Sequence, residues 1–230
     1  MATVILQARI GSTRLPGKVL MPILGKPMLG YTIDTLKHSP VASRIVLAIP
    51  EGTENDPLVA VATEYGINCF RGSESNVLER FYNASLMFKD DYYFRATGDN
   101  PIIDAQNLQR SLDHLIKENL DYVMESGLPL GAVVEAFTAE ALERSFREGS
   151  SPEDLEHVTW YMKKSGRFHI HIIQGPPELR FPQLRLTVDY PEDFKRVSYI
   201  IEHLYKDGIP PFEEVINFVK TRKGSGLLPD

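Results

Sequence analysis

Four basic side chains stand in one loop near the start of the chain, in a stretch that contains no acidic residue. The stretch QARIGSTRLPGKVLMPILGKPM holds these cations: Arg9, Arg14, Lys18 and Lys26. The first acidic residue is Asp34, so the first 33 residues carry a formal charge of +4, whereas the whole chain carries -6. Segregated positive charge in an acidic protein indicates an anionic ligand at this loop. A solvated basic loop is the alternative that the charge pattern leaves open.

The spacing of the glycines indicates how this loop would hold phosphate. It resembles G-x-x-x-x-G-K-[ST], but five residues separate Gly11 from Gly17, and Val19 stands where a Ser or Thr would hold Mg²⁺. The prolines of the loop prevent a helix from beginning at once, and no G-x-G-x-x-G motif follows the first strand. Arg and Lys side chains would therefore contact the phosphates. Because the loop follows the first predicted strand of an α/β sheet, its position favours a nucleoside triphosphate.

Two aspartates follow apolar segments and could hold a metal ion. Asp99 lies in the turn of ATGDNPIID, and Asp189 lies between the predicted strand of RLTVD and a helix that begins with proline. Carboxylates that face a basic loop suit Mg²⁺ bridging triphosphate oxygens. The structural alternatives are an Asx turn for Asp99 and a helix N-cap for Asp189. Glu192 and Asp193 are interpreted as exposed acids that favour the dipole of the following helix.

The amino-acid composition limits the classes of protein to which this chain can belong. The 230 residues include 43% hydrophobic and 24% charged residues, ordinary values for a globular chain, and a pI near 5.6 argues against nucleic-acid binding. The single cysteine, Cys69, excludes an internal disulfide and a thiolate metal cage. The apolar start Val4-Ile5-Leu6 is too short for a signal sequence or a membrane span. We therefore expect a cytoplasmic protein with no membrane partner.

Apolar periodicity predicts strands that alternate with helices. Strands are predicted at 4–7, 44–50, 92–97, within 126–137, at 168–174 and at 185–189. Helices are predicted after Pro27 and at 56–66, 76–88, 151–164, from 191 and at 211–220, followed by a frayed tail from residue 222. This alternation indicates βαβ units and an α/β fold with a mostly parallel sheet.

Four motifs in order carry a resemblance to a known family. The segments QARIGSTRLPGKVLMPILGKPML, FRGSESNVLERFYNA, FRATGDNPIID and LTVDYPEDF resemble those of the cytidylyltransferases that make CMP-activated sugars. That family includes the CMP-KDO, CMP-sialic acid and CMP-pseudaminic or legionaminic acid synthetases, and the spore coat polysaccharide biosynthesis group is the most similar. The resemblance implies a three-layer α/β/α, nucleotide-diphospho-sugar transferase-like fold with a mixed sheet. It also implies one domain over 1–230, with nucleotide binding at about 1–125, acceptor binding at about 126–205 and a C-terminal helix at 211–220.

The resemblance also implies roles for individual residues. The matching aspartates, Asp99 and Asp189, would hold the catalytic Mg²⁺. The residues assigned to the nucleotide are Leu6, Gln7, Ala8, Gly11, Ser12, Arg71, Gly72, Ser73 and Arg80. The residues assigned to the acceptor are Arg95, Glu135, Glu156 and His157. For Arg80 a helical i,i+4 contact is the alternative, and Arg95 could face phosphate or a sugar acid. A zinc site at His157 is excluded because its helix offers no second ligand at i+3 or i+4.

The reaction that these assignments imply is nucleotidyl transfer without a covalent intermediate. A hydroxyl of a sugar, sugar acid or polyol would attack the α-phosphorus of CTP, and the catalytic set would be Arg9, Arg14, Lys18 and Asp99 with Mg²⁺. The residues alone leave the base of the nucleotide open. A GT-A glycosyltransferase, which usually carries a D-x-D pair, and a non-catalytic nucleotide-binding subunit are the alternatives. KDO itself is disfavoured as the acceptor because the region after residue 125 is short, and a homodimer is expected by analogy.

Overall fold

The computed structural model describes residues 2–206 and 208–223. The strands are β1 (Ala2–Gln7), β2 (Pro22–Ile23), β3 (Lys26–Pro27), β4 (Ala42–Pro50), β5 (Asn68–Gly72), β6 (Tyr92–Thr97), β7 (Tyr122–Ser126), β8 (Glu135–Thr138) and β9 (Ile170–Gln174). The helices are α1 (Met28–Lys37), α2 (Asp56–Glu64), α3 (Val77–Ser85), α4 (Ala105–Lys117), α5 (Ala139–Glu148), α6 (Pro152–His157), α7 (Trp160–Lys164), α8 (Pro191–Leu204) and α9 (Phe212–Lys223).

Within the described residues, seven strands form one twisted mixed sheet in the order β5-β4-β1-β6-β8-β7-β9. Strand β1 pairs in parallel with both β4 and β6, and β4 pairs in parallel with β5. Strand β8 is antiparallel to its neighbours β6 and β7, while β7 and β9 are parallel. The carboxyl ends of the central parallel strands therefore meet at one edge, where open α/β sheets bind ligands.

Alternate residues of the central strand β1 pack into two separate hydrophobic cores, one on each face of the sheet. Val4 and Leu6 pack into the core that contains α1, α2, α4, α8 and α9, whereas Ile5 packs into the core with α3, α5 and α7. Both faces of β1 are buried, which explains its continuous apolar run. The predicted three-layer α/β/α fold with a mostly parallel, mixed sheet is confirmed.

The helix predicted over 151–164 is wrong as a single element. It divides into α6 and α7 at Val158, whose φ of +46° lies in the left-handed region. Val158 is fully buried against α3 and α5, and the next residue, Thr159, donates from its hydroxyl to the buried Glu135. These tertiary contacts outweigh the helical periodicity of the segment.

The strand predicted at 185–189 is also wrong. One isolated bridge joins Arg185 to Leu130, and the chain then continues as a loop into α8. Asp189 therefore lies in a loop, not at the end of a strand. The other boundaries differ by a few residues: α3 ends at Ser85 rather than 88, and Asp56 is the first residue of α2 rather than its cap. Most of the tail that was predicted to fray, 224–230, lies outside the described residues.

Candidate active site

A cavity of about 560 Å³ opens at the carboxyl ends of β1 and β6. Twelve of the residues predicted to act at the site line it: Gln7, Ala8, Arg9, Ser12, Arg14, Lys18, Arg80, Arg95, Asp99, Glu156, His157 and Asp189. They come from all four sequence motifs and from the end of α6. The fold thus brings residues that are far apart in sequence to one polar site.

The basic loop is folded back on itself by backbone hydrogen bonds. The N–H groups of Ser12 and Gly17 both donate to the carbonyl of Ile10, at 2.8 and 3.1 Å. Gly17 has a φ of +69°, which only glycine adopts without strain, and a short 3-10 helix begins at the next residue. This turn directs Lys18 inward, so that it is only 7% exposed.

The Lys18 ammonium lies between the two aspartates predicted to hold metal. Its Nζ donates to Asp99 Oδ2 at 3.0 Å, to Asp189 Oδ1 at 3.1 Å and to the carbonyl of Val188 at 2.6 Å. The Val188 N–H in turn donates to the Asp99 carbonyl at 2.8 Å. The two loops that carry the aspartates are therefore joined both by their backbones and by Lys18.

Neither structural alternative for the aspartates describes what their side chains contact. The N-cap of α8 is Tyr190, so Asp189 does not cap that helix. Its carboxylate accepts hydrogen bonds from Lys18, from Arg14 at 2.7 Å and from Arg185 at 2.6 Å. The Asp99 carboxylate accepts from Thr97 Oγ1 and Lys18 Nζ, neither of which is the backbone bond of an Asx turn.

The cations that surround Asp189 keep it ionised. Burial by itself would raise its pKa, but Lys18, Arg14 and Arg185 outweigh burial and lower it. Asp193, interpreted from the sequence as exposed, is buried instead. It accepts from the N–H groups of Asp189 and Tyr190, at 2.9 and 3.0 Å, and from Arg185. Asp193 therefore fixes the loop that presents Asp189, because its carboxylate satisfies the free N–H groups before α8.

Two further arginines that line the cavity hold positive charge at low solvent exposure. Arg80 is 3% exposed, and its guanidinium donates to the carbonyl of Ser73 rather than to an i,i+4 partner. Burial, together with the nearby Arg9, lowers the pKa of Arg80 to about 10. Arg95 donates to Glu135 at 2.9 Å. The hydrogen bond described for the Arg80 guanidinium goes to a carbonyl and not to a carboxylate. A buried guanidinium without a carboxylate partner favours the binding of an anionic or polar ligand.

Several buried polar atoms around the cavity have no hydrogen-bond partner in the described structure. They are Gln7 Oε1, Arg80 Nε, Arg95 Nε and Asn100 Oδ1, and all four residues line the cavity. Buried polar groups are normally satisfied, so such a cluster needs an explanation. A polar ligand in the cavity would supply it.

Six residues assigned to the site from the sequence do not line the cavity: Leu6, Gly11, Arg71, Gly72, Ser73 and Glu135. Leu6 is fully buried in the core beneath the sheet edge. Arg71 belongs to the edge strand β5 and points outward, where it pairs with Asp56 and the carbonyl of Gly52. Gly72 lies beneath Arg80, because a Cβ there would come within 3.1 Å of its Cγ.

Glu135 lies behind the cavity in a buried polar network. Its carboxylate accepts from Arg95 and Lys163 at 2.9 Å, from Tyr122 at 2.5 Å and from Thr159 at 3.1 Å. Burial would raise the pKa of Glu135, but Arg95 and Lys163 bring it down to about 2. Glu135 therefore positions Arg95 and holds the segment after Val158, where Thr159 begins the turn into α7.

Sequence reasoning missed several polar or flexible positions in the cavity wall, among them Thr97, Asn100, Gly131 and Arg185. Thr97 and Asn100 flank Asp99 in the same motif, so their position in the sequence could have indicated them. Gly131 has a φ of +96°, and a Cβ there would lie 2.6 Å from the Thr187 nitrogen, so glycine allows the two loops to approach. Arg185 stands just before the fourth motif, and only the folded chain reveals its contact with Asp189.

The donor set fits a hard divalent cation that is shared with a ligand. The described residues contain no group of three or more His, Cys, Asp or Glu side chains that could enclose a metal. Mg²⁺ is commonly held by one or two carboxylates together with substrate phosphates, which matches Asp99 and Asp189 in a cavity lined by cations.

In the same described residues, every helix is too short or too polar to cross a bilayer.

Known proteins are similar to this chain in sequence and in fold. The chain is 36% identical over 200 residues to an uncharacterised protein of Methanocaldococcus jannaschii, covering 86% of this chain and 82% of that protein. It is 32% identical over 204 residues to the spore coat polysaccharide biosynthesis protein SpsF of Bacillus subtilis, covering 86% and 85%. A solved cytidylyltransferase from Leptospira borgpetersenii serovar Hardjo-bovis has a TM-score of 0.90 at 26% identity, covering 100% and 97%.

A family model described as cytidylyltransferase matches residues 3–206, nearly the whole chain. The resemblance inferred from the four motifs is confirmed, and so is the prediction of a nucleotidyltransferase enzyme with the corresponding α/β fold. The match groups the chain with these enzymes rather than with GT-A glycosyltransferases. The chain belongs to the cytidylyltransferase family.

Proposed function

We propose that the protein transfers CMP from CTP to a hydroxyl of a sugar, sugar acid or polyol and thereby activates it for the synthesis of a surface polysaccharide. The observation that carries the proposal is the position of Lys18 between Asp99 and Asp189 in a cavity lined by further cations. Such a site suits a triphosphate with its divalent cation. The name of the Bacillus subtilis relative supports the link to polysaccharide synthesis.

The chemistry is a single displacement at phosphorus. The acceptor oxygen forms a bond to the α-phosphorus, the bond to the bridging oxygen of the β-phosphate breaks, and pyrophosphate leaves while the hydroxyl proton passes to solvent. Arg9, Arg14 and Lys18 stabilise the negative charge that develops on the phosphate oxygens. A divalent cation held by Asp99 and Asp189 would add positive charge to the same oxygens.

The acceptor would occupy the side of the cavity that α6 and the turn at Val158 form. Glu156 and His157 line this wall, and Arg95 faces the cavity from β6 while Glu135 holds it. Carboxylate, imidazole and guanidinium groups can bind hydroxyls as well as an acidic group, so the wall suits a polyhydroxylated acceptor. An anionic acceptor would use Arg95, and a neutral one would use Glu156 and His157.

A screen for pyrophosphate release tests the proposal. CTP, UTP, ATP and GTP are each mixed with the protein, Mg²⁺ and a panel of sugars, sugar acids and polyols. Release with CTP and one acceptor class, lost in Asp99→Asn, is the expected result. A preference for GTP or ATP would refute the cytidylyl assignment, and calorimetric titration with each nucleotide provides an independent measure of base preference. The absence of pyrophosphate with CTP across the panel, together with tight CTP binding, would favour the non-catalytic alternative.

A further inference from the structure

We infer that Lys18 competes with the divalent cation for Asp99 and Asp189, so that metal is bound tightly only when a triphosphate has drawn Lys18 away. The inference rests on the proposed function, because it takes these two carboxylates as metal ligands. It adds that the same lysine contacts carboxylates in the free protein and phosphate in the complex. Lys18 would then determine the order in which metal and nucleotide bind.

The contacts of Lys18 in the free protein occupy the place that a metal would need. An ammonium group has three N–H donors, and Nζ uses them on Asp99, Asp189 and the Val188 carbonyl, at 3.0, 3.1 and 2.6 Å. A Mg²⁺ ion must approach its carboxylate oxygens to about 2.0–2.1 Å. A cation placed between the same two oxygens would therefore lie almost against Nζ, so both cannot occupy the site.

The charge around the aspartates is already balanced without a metal. Asp99, Asp189 and Asp193 bring three negative charges, and Lys18, Arg14 and Arg185 contact these carboxylates with three positive charges. Arg196 adds a further contact to Asp193. A divalent cation would thus enter a region without net negative charge, at a cost that Coulomb's law makes large at low solvent exposure. A triphosphate reverses this balance, because it brings several negative charges at once.

The side chain of Lys18 can move without disturbing the fold. Its backbone is fixed by the turn at Gly17 and by the 3-10 helix, and its four-carbon stem borders the cavity that would receive the phosphates. Lysine is a flexible point charge, and it exchanges one oxygen partner for another without the planar geometry that arginine requires. Arg14 also pairs with Asp189, on the same Oδ1 that accepts from Lys18, but it bonds only one of the two ligands.

Binding of Mn²⁺ in the absence of nucleotide tests this inference directly. Free Mn²⁺ is measured by electron paramagnetic resonance in titrations of the wild type, of Lys18→Met and of Lys26→Met as a matched control. Lys26 pairs with Asp34 and does not line the cavity. We expect the Lys18→Met protein to bind Mn²⁺ at least about tenfold more tightly than the wild type. The reason is that Mn²⁺ no longer has to displace the Lys18 ammonium from its ion pairs with the two carboxylates. Lys26→Met should match the wild type.

A double variant and a second substitution make each outcome decisive. Adding Asp99→Asn to Lys18→Met should remove the gained affinity, because the ligand itself is lost. Unchanged or weaker Mn²⁺ binding in both Lys18→Met and Lys18→Gln, with native circular dichroism, would overturn the competition. Gained binding that persists in the double variant would place the ion elsewhere and would also overturn it. Failure of the proposed function is read separately, as absence of pyrophosphate release by the wild type.

Discussion

At the scale of single residues, the cavity holds its cations in two different ways. Lys18 is buried and contacts two carboxylates, whereas Arg14 is half exposed at the mouth of the cavity and pairs with Asp189. The Arg14 guanidinium also lies over the Tyr190 ring, with 5.1 Å between the guanidinium carbon and the ring centroid. Hydrogen bonding to Tyr190, together with the charge of Asp189, raises the pKa of Arg14, so its charge is constant at any working pH. Under the proposed function, both residues would exchange a carboxylate partner for phosphate.

Replacing Arg14 with alanine should slow nucleotidyl transfer by about a hundredfold or more, the scale expected when one preorganised electrostatic donor is lost. The reason is that Arg14 would contact phosphate in the transition state as well as in the ground state. Steady-state kinetics with CTP measures the effect. Arg147→Ala is the control, since it removes the same charge from an exposed pair on α5. Near-normal turnover in Arg14→Ala would remove this residue from the catalytic set.

Asp189→Asn should fold but lose metal-dependent pyrophosphate release, because an amide is a poorer ligand for Mg²⁺ than a carboxylate. Thermal stability and the magnesium dependence of the rate are compared with those of Glu192→Gln. Glu192 is an exposed acid in the first turn of α8, the helix that follows Asp189, so it controls for loss of a nearby charge. Unchanged magnesium dependence in Asp189→Asn would mean that this residue is purely structural.

At the scale of elements, the Glu135 network joins four parts of the fold behind the cavity. Arg95 belongs to β6, Tyr122 to β7, Glu135 itself to β8 and Lys163 to α7. The helical break at Val158 lies beside this network, since the following Thr159 bonds Glu135. A β-branched residue with a positive φ, such as Val158, costs about 1–3 kcal/mol of folding free energy. This conformation persists only where the surrounding contacts impose it. The network supplies that constraint.

Glu135→Gln should destabilise the protein by about 3 kcal/mol, because it leaves the partly buried Arg95 and Lys163 without their counter-charge. The pKa of Glu135 is about 2 in the folded chain and 4.5 when unperturbed. Its stabilising contribution is therefore complete above about pH 4.5 and is lost as the pH falls from there toward 2. Denaturant unfolding at several pH values measures both effects.

The pH dependence of stability distinguishes the effect of removing the Glu135 charge from the effect of changing the shape of its side chain. Over pH 4.5 to 2, the Glu135→Gln protein should lose less of its unfolding free energy than the wild type does. Glu143→Gln, in an exposed ion pair on α5, should behave like the wild type. An identical acid dependence in Glu135→Gln and the wild type would contradict a charged Glu135 in the folded protein.

At the scale of the whole molecule, the larger of the two hydrophobic cores runs, within the described residues, from β1 to α9. Leu6, Leu29, Val123, Ile200 and Val219 all belong to it. The part assigned to the nucleotide and the part assigned to the acceptor therefore share apolar contacts rather than meeting across a polar boundary. This continuity supports the prediction of a single domain.

A shared core predicts one cooperative unfolding transition by calorimetry, with equal van't Hoff and calorimetric enthalpies. CTP with Mg²⁺ at a hundredfold excess over its Kd should stabilise the whole protein by about 2.7 kcal/mol and shift the single transition upward. Two transitions, only one of which moves with CTP, would mean that residues 1–125 and 126–205 unfold as separate domains.

The four motifs were sufficient to predict the fold class and ten of the 22 residues that line the cavity. Gln7, Arg14, Asp99 and Asp189 could be assigned because each stands in a motif at a loop that follows or faces the sheet edge. Arg71 could not be placed in the same way, because its direction depends on the twist of edge strand β5 and on the partner that Asp56 offers. Local spacing determines which residues are close to a strand end, but it does not determine where a long side chain points.

The sequence by itself determined the family, part of the alternation of strands and helices, and the separation of a basic loop from an acidic remainder, since these depend on residue type and short-range order. The tertiary structure alone decided that Lys18 lies between carboxylates 81 and 171 residues away, that Asp193 is buried, and that the helix after Pro152 breaks at Val158. The physical reason is the same in each case. The partner that neutralises a buried charge, or that outweighs helical periodicity, comes from a distant segment, and only the folded chain brings the two together.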